Sequence, residues 1–277
     1  MSATPLTDLS RCAIHTQTNK PWTLQQCVEA YSGAGIKGIS IWRHVIEPIG
    51  AKEAGKIVRD HGMSVPAIVR GGFFTSLDAK ARSAALDMNR TCIDEAREVG
   101  AAMVVLVVGA TPGLSLEDAR KQVAEGIAAL VPYAKTANVK LAIEPLHPMY
   151  AADKSCINRM GDARRVCQIV GDPIVGIACD VYHVWWDPDL KEEIHLAGEL
   201  GLIFGFHICD WLTTTKDLLT DRGLMGEGVI DIRKIRGWVE ATGFEGFNEV
   251  EIFSERLWAT EQKEYVQVIR KAYLNKS

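Results

Sequence analysis

The chain has 277 residues, 47% of them hydrophobic and 24% charged, with a formal net charge of -4. That composition suits one large α/β domain, and the negative balance with no basic stripe argues against nucleic acid as a partner. No run reaches the roughly 18 apolar residues of a membrane span, Met1 to Arg11 lacks the apolar core of a signal peptide, and the seven cysteines form no Cys-x-x-Cys pair, so a cytoplasmic protein with reduced thiols is expected.

Strands and helices alternate along the chain. Arg11 to His15 reads as a first short strand, followed by a helix over Thr23 to Ser32 that exits through Gly33 and Gly35. Gly38 to Trp42 is the second strand, and Ala51 to His61 the second helix, stopped by Gly62. Ser64 to Val69 is the third strand and runs into Arg70-Gly71-Gly72-Phe73-Phe74, ahead of a helix over Leu77 to Val99. Met103 to Val108 is an unbroken apolar run, as expected of a strand covered on both faces. The helix over Leu116 to Asn138 is expected to be interrupted and kinked at Pro132. Then come a strand (Val139 to Glu144), a helix near Ala163 to Val170, a strand (Ile174 to Asp180), a helix near Lys191 to Leu200 and a strand (Ile203 to Cys209). Ile232 to Thr242, Gly246 to Phe253 and Glu261 to Ala272 close the series as helix, strand and helix. Eight such strands, each followed by a helix, predict an α/β fold with a single (β/α)8 barrel over residues 1–277, its active site at the C-terminal strand ends. No Gly-x-Gly-x-x-Gly follows the first strand, which disfavours a doubly wound sheet. The long loops Pro145 to Gly161 and Asp210 to Ile230 are functional candidates.

Four strands end in charge. Leu141-Ala142-Ile143 stops at Glu144, with His147 three residues on. Val175 to Cys179 stops at Asp180, with His183 close behind. Gly205-Phe206 leads to His207, and the last strand carries Glu249 and Glu251. A Glu, an Asp, a His and a Glu at successive strand ends make a cage for one divalent cation. Three carboxylates with one imidazole suit Mn2+, with Mg2+ or Co2+ as alternatives, better than a Cys- and His-rich structural zinc site. Glu249 and Glu251 share one side of the strand; Glu251 lies nearer the mouth and is taken as the ligand, leaving Glu249 one layer deeper to pair with a basic group or accept a hydrogen bond.

The segments Leu-Ala-Ile-Glu-Pro (141–145), Asp-Val-Tyr-His (180–183), Phe-His-Ile-Cys-Asp (206–210), Asp-Arg-Gly-Leu-Met-Gly-Glu-Gly (221–228) and Glu-Val-Glu-Ile-Phe (249–253) resemble the xylose-isomerase-like barrels, which include sugar isomerases, ketose 3-epimerases and inosose dehydratases. The resemblance spans essentially the whole chain. It implies Glu144, Asp180, His207 and Glu251 as metal ligands, with Glu144 and Glu251 also serving in acid–base work, and His183 and Arg222 as substrate contacts. Glu144-Pro-Leu-His147-Pro-Met-Tyr150, Val184-Trp185-Trp186-Asp187-Pro188 and the Arg70 loop look like catalytic subunits of bacterial C-glycoside deglycosidases. That likeness implies β-elimination from a 3-keto-glycoside, His147 as general base, and a smaller β-type partner subunit; an oligomer is expected in any case.

The chemistry is consistent with either outcome. A divalent ion chelating a sugar carbonyl and its neighbouring hydroxyl stabilises the enediolate formed on proton loss. Returning the proton elsewhere gives a ketose isomerase or 3-epimerase, whereas expelling a leaving group gives a lyase. More remote alternatives are an apurinic-site endonuclease, which needs a basic groove and extra ligands, and a non-catalytic sugar-binding barrel. His15 and Trp42 are expected to line the pocket, although packing accounts nearly as well for both, and Arg70 and Arg43 are candidates to hold a substrate hydroxyl or phosphate. Rim salt bridges are the commoner fate of Arg70 and Arg43, and Glu227 is expected to shape its Gly-Glu-Gly turn.

Overall fold

The computed structural model describes residues 3–277. Eight parallel strands close a barrel: β1 (Cys12–His15), β2 (Gly38–Trp42), β3 (Val65–Gly72), β4 (Ala101–Val107), β5 (Lys140–Ile143), β6 (Val175–Asp180), β7 (Ile203–Ile208) and β8 (Asn248–Val250). They follow one another around the ring in chain order, and β8 pairs back onto β1 through Ala13 opposite Glu249. The expected (β/α)8 barrel is therefore the fold.

Strand periodicity decides what faces inward. Ala67 and Val69, Met103 and Val105, Ala142 and Ala178 form a small core inside the barrel, with Trp42 and Phe204 packed against it. The alternate residues, such as Ile68, Val104, Leu141 and Ile177, join the large core between sheet and helices. A period of two places Glu144, two residues beyond Ala142, and Asp180, two beyond Ala178, on the inner side. Phe206, Ile208 and Val250 face the helices, so His207, Glu249 and Glu251 point inward as well. The inner lining is built small where the charged residues need room. A Cβ on Gly205, two residues before His207, would come within 2.8 Å of Met103 Cε.

Several boundaries differ from expectation. The helix Leu116–Ala137 runs through Pro132 without interruption, capped by Ser115 Oγ, which accepts from Asp118 N at 3.0 Å. The helix Met160–Val170 begins three residues before the expected Ala163, behind Arg159, whose side chain makes no cap bond. β3 continues past Val69 to Gly72, carrying the Arg-Gly-Gly segment into the sheet. β8 is only three residues long, so Glu251 lies just beyond the strand and not within it. A four-residue helix, Val181–Val184, follows β6 directly, and a two-residue antiparallel pair, Asp210–Trp211 with Arg222–Gly223, organises the second long loop. Among the described residues, no helix is long and apolar enough to cross a membrane.

Candidate metal centre and active-site mouth

The strand ends deliver their charged residues to one point. Glu144 extends the β5 ladder, its N–H donating to Leu106 O at 3.1 Å, and Glu251 extends β8 in the same way onto Ile208 O at 3.1 Å. Asp180 ends β6 and caps the helix Val181–Val184, its Oδ1 accepting from Tyr182 N at 2.9 Å. With His207 in β7, one donor atom from each of Glu144, Asp180, His207 and Glu251 lies within 4.8 Å of the others, and all four residues are buried. Three carboxylates this close and this dry need positive charge among them. The set fits a divalent metal site, with oxygen donors in the majority and one imidazole.

Part of that positive charge comes from the protein. Arg222 is buried, with Nη1 3.0 Å from Asp180 Oδ2 and 3.2 Å from Glu251 Oε2. Its guanidinium is sandwiched between Tyr182 and Phe253, at 4.3 and 4.7 Å from the ring centres. His207 Nδ1 lies 3.0 Å from Glu144 Oε1. Burial opposes charge on that imidazole, but Glu144, Glu249 and Glu251 outweigh it and lift the pKa to about 10. Burial raises the Asp180 carboxyl to about 7, despite the opposing charge of Arg222.

A second layer lies beneath. Glu249 accepts from Ser40 Oγ at 2.5 Å, and its Oε2 is 3.3 Å from His15 Nε2 and 3.9 Å from His207 Nε2. His15 Nδ1 is 2.9 Å from Glu251 Oε1, closer than the Trp42 indole nitrogen at 3.4 Å. His15 thus stands between two glutamates, wholly buried, and not in the open mouth.

Above the cluster, His183 Nδ1 accepts from His147 N at 3.2 Å, and its Nε2 faces Arg222 Nη2 at 3.3 Å. Burial and the Arg222 charge hold its pKa well below the usual imidazole value, so the ring is neutral. His147 is half-buried beside Trp211 and Trp186, with ring centres 5.0 and 5.7 Å away, and burial lowers its pKa. Its Nδ1 accepts from Met149 N at 3.2 Å, which leaves Nε2 as the protonated nitrogen of the neutral ring. Trp42 and Arg70 form another wall. The Arg70 guanidinium lies over Trp42 and Phe73 at 5.8 and 5.0 Å, and Trp42 meets Phe253 edge-on at 5.3 Å. The loop after β7 is strapped across this mouth by Tyr150 and Tyr182, whose hydroxyls both donate to Leu218 O at 3.0 Å.

All the residues singled out from the strand ends therefore meet around one centre. Arg43 does not: it forms a two-pronged pair with Glu95, with N–O distances of 2.5 and 3.0 Å. Glu227 shapes its turn, accepting from Leu224 N at 2.9 Å. Ser40 and Trp211 escaped sequence reasoning. A polar residue two positions before the end of an otherwise apolar strand was the available signal for Ser40, whereas nothing local marks Trp211.

Residues 28–272 match the family model described as xylose isomerase-like TIM barrel. A search of curated proteins finds no match. Among solved structures, a protein from Sinorhizobium meliloti 1021 superposes with a TM-score of 0.94 at 46% identity, over 98% of this chain and 100% of that one. The IOLI protein, solved with a bound zinc atom, gives 0.81 at 21% identity over 95% and 96% of the two chains. The 3-keto-D-glucoside 4-epimerase of E. coli gives 0.76 at 19% identity over 95% and 97%. With a family match across most of its length and a barrel of matching architecture, the chain belongs to the xylose isomerase-like TIM barrel family.

Proposed function

We propose that the chain is a divalent-metal-dependent enzyme that removes a proton next to the carbonyl of a keto-sugar. The observation that carries this reading is the convergence of Glu144, Asp180, His207 and Glu251 within 4.8 Å at the strand ends. These four residues would hold the ion, Mn2+ by the balance of donors with Mg2+ or Co2+ as alternatives, and when bound it supplies Lewis acidity at the sugar carbonyl. His183 and Arg222 lie beside the cluster where they can donate to sugar oxygens, while Trp42 and Arg70 wall the mouth. His15, wedged between Glu249 and Glu251, is better placed to support a glutamate than to touch the sugar.

The direction of the chemistry depends on which group takes the proton. In the elimination reading, His147 acts as base on a 3-keto-C-glycoside and the protein works with a smaller partner subunit. That role needs an imidazole lone pair turned to the substrate, but the Nδ1 lone pair is engaged by Met149 N at 3.2 Å. The second reading, a ketose isomerase or 3-epimerase, assigns the proton transfers to Glu144 and Glu251, and the engaged His147 favours it. Both readings take a small keto-sugar as substrate. The test is a screen of free ketoses and 3-keto-glycosides with Mn2+-loaded protein in D2O, following both aglycone release and deuterium uptake at carbon. Exchange without release supports the epimerase or isomerase, and release supports the lyase. Neither signal from any keto-sugar, with the ion bound, would refute the proposal.

A further inference from the structure

The barrel buries one carboxylate that the reaction does not require. Glu249 is 1% exposed in the inner layer beneath the cluster, where an unpaired carboxylate would be strongly destabilising. Its surroundings explain its retention. Ser40 Oγ donates to it at 2.5 Å, and two fully buried imidazoles turn their Nε2 atoms towards the same oxygen, His15 at 3.3 Å and His207 at 3.9 Å. Both Nε2 atoms are buried without a hydrogen-bond partner, and the Glu249 oxygen is the acceptor they face. The opposite nitrogen of each ring faces the cage: His207 Nδ1 towards Glu144 at 3.0 Å, and His15 Nδ1 towards Glu251 at 2.9 Å.

We propose that Glu249 is the positioning residue of the metal centre: seated by Ser40, its carboxylate faces the Nε2 atoms of His207 and His15 from below and accepts from them when the ion is bound, so that His207 Nδ1 and the Glu251 carboxylate are presented to the ion. The inference rests on the metal-dependent reading above and adds a residue outside the ligand set. The physical reason is general. An imidazole ligand is oriented, and made a better donor, by a carboxylate accepting from its other ring nitrogen. The strand register supplies the geometry, because Glu249 sits opposite His207 on β7 and opposite Ala13, two residues before His15, on β1. The same carboxylate lines a cavity of about 480 Å³ at the N-terminal face of the barrel, so it forms the floor between that cavity and the imidazole layer.

The test measures divalent-ion affinity by chelator competition on metal-stripped full-length protein, using Mn2+ and Co2+, with the thermal midpoint of the stripped protein as a check on folding. Glu249→Gln keeps the shape and removes the charge. It is expected to weaken affinity about 10–100-fold, the usual consequence of losing such a partner, and to shift the visible absorption of the Co2+ form. Asn248→Ala is the control for damage to β8, since Asn248 donates to Tyr273 OH at 3.1 Å on the helix side and touches neither imidazole. It is expected to lower the thermal midpoint and leave affinity unchanged. If Glu249→Gln does not fold, Ser40→Ala takes its place, with several-fold weaker binding expected. Affinity within threefold of the parent in Glu249→Gln, or in Ser40→Ala where that variant stands in, overturns the inference, as does an equal loss in Asn248→Ala. A parent protein that binds no divalent ion instead refutes the proposed function.

Discussion

Arg222 offers the sharpest test of the electrostatics. Replacing it with Met keeps most of the stem between Tyr182 and Phe253 but removes the cation that sits 3.0 Å from Asp180 and 3.2 Å from Glu251. Removing one member of a buried ion pair costs about 3–5 kcal/mol, because the remaining charge is stranded. At roughly 2–4 °C per kcal/mol for a chain of this size class, the metal-free variant should melt on the order of 10 °C below the parent. Asp180, raised by burial to about 7, can relieve part of the strain by taking a proton. The loss should therefore be larger at pH 9, where taking that proton costs more. A divalent ion supplies the missing charge, so in Mn2+-saturated protein the loss should shrink to about 1–2 kcal/mol, the scale of the lost hydrogen bonds. Calorimetry of the stripped and loaded forms at pH 7 and pH 9 measures all four values. Equal losses in stripped and loaded protein, or a loss below about 1 kcal/mol in the stripped form at pH 9, would refute the argument.

Further outcomes follow from the same geometry. One divalent ion per chain should be found by metal analysis, and saturating it at about 100 times its Kd should raise stability by roughly 2.7 kcal/mol, measured as a shift in unfolding midpoint. Glu251→Gln should lose the ion, whereas Glu249→Gln should bind it weakly; the reverse, read by equilibrium dialysis, would mean that the register of ligand and support is inverted. His147→Ala should leave metal content intact. A fall of about 10²-fold in elimination from a 3-keto-glycoside would identify a general base, and unchanged deuterium exchange at a ketose would place proton transfer on the glutamates. Metal-free protein should lose stability between pH 7 and pH 10: His207, lifted to about 10, binds a proton in the folded state that it lacks when unfolded. Denaturant titrations across that window check the slope, and a rise in stability would contradict it.

Much of the centre was legible because strand ends impose a simple rule. An apolar run that stops at Glu144, Asp180 or His207 marks both the end of a strand and the side its next charge faces. The choice of Glu251 over Glu249 drew on the direction of the strand, which puts Glu251 nearer the mouth, and on the family motif. Arg222 was less accessible, since its place between Asp180 and Glu251 depends on a loop folding back through the pair Asp210–Trp211 and Arg222–Gly223. Local pattern carries no information on such a return. The role of His15 was obscured for a related reason: β1 and β8 are adjacent only because the ring closes, and closure brings together residues more than 230 positions apart. The extent of β8 was overestimated because apolarity continues through Phe253 after pairing has ended. The uninterrupted helix at Pro132 shows packing of Leu130, Val131 and Ala134 in the core outweighing a local penalty.

The brevity of β8 has a consequence for descent. Three residues of ladder carry Glu249, and the next inward position carries Glu251, so one interval sets both depths at once. Lengthening or shortening the segment by one residue between the two carboxylates would put them on opposite faces and send one of them out among the helices. Single substitutions there can be graded in their effect, but a change of length is all or nothing. Lineages of this barrel should therefore vary freely in the loops on either side, while the segment that holds the two glutamates is inherited as a unit of fixed length.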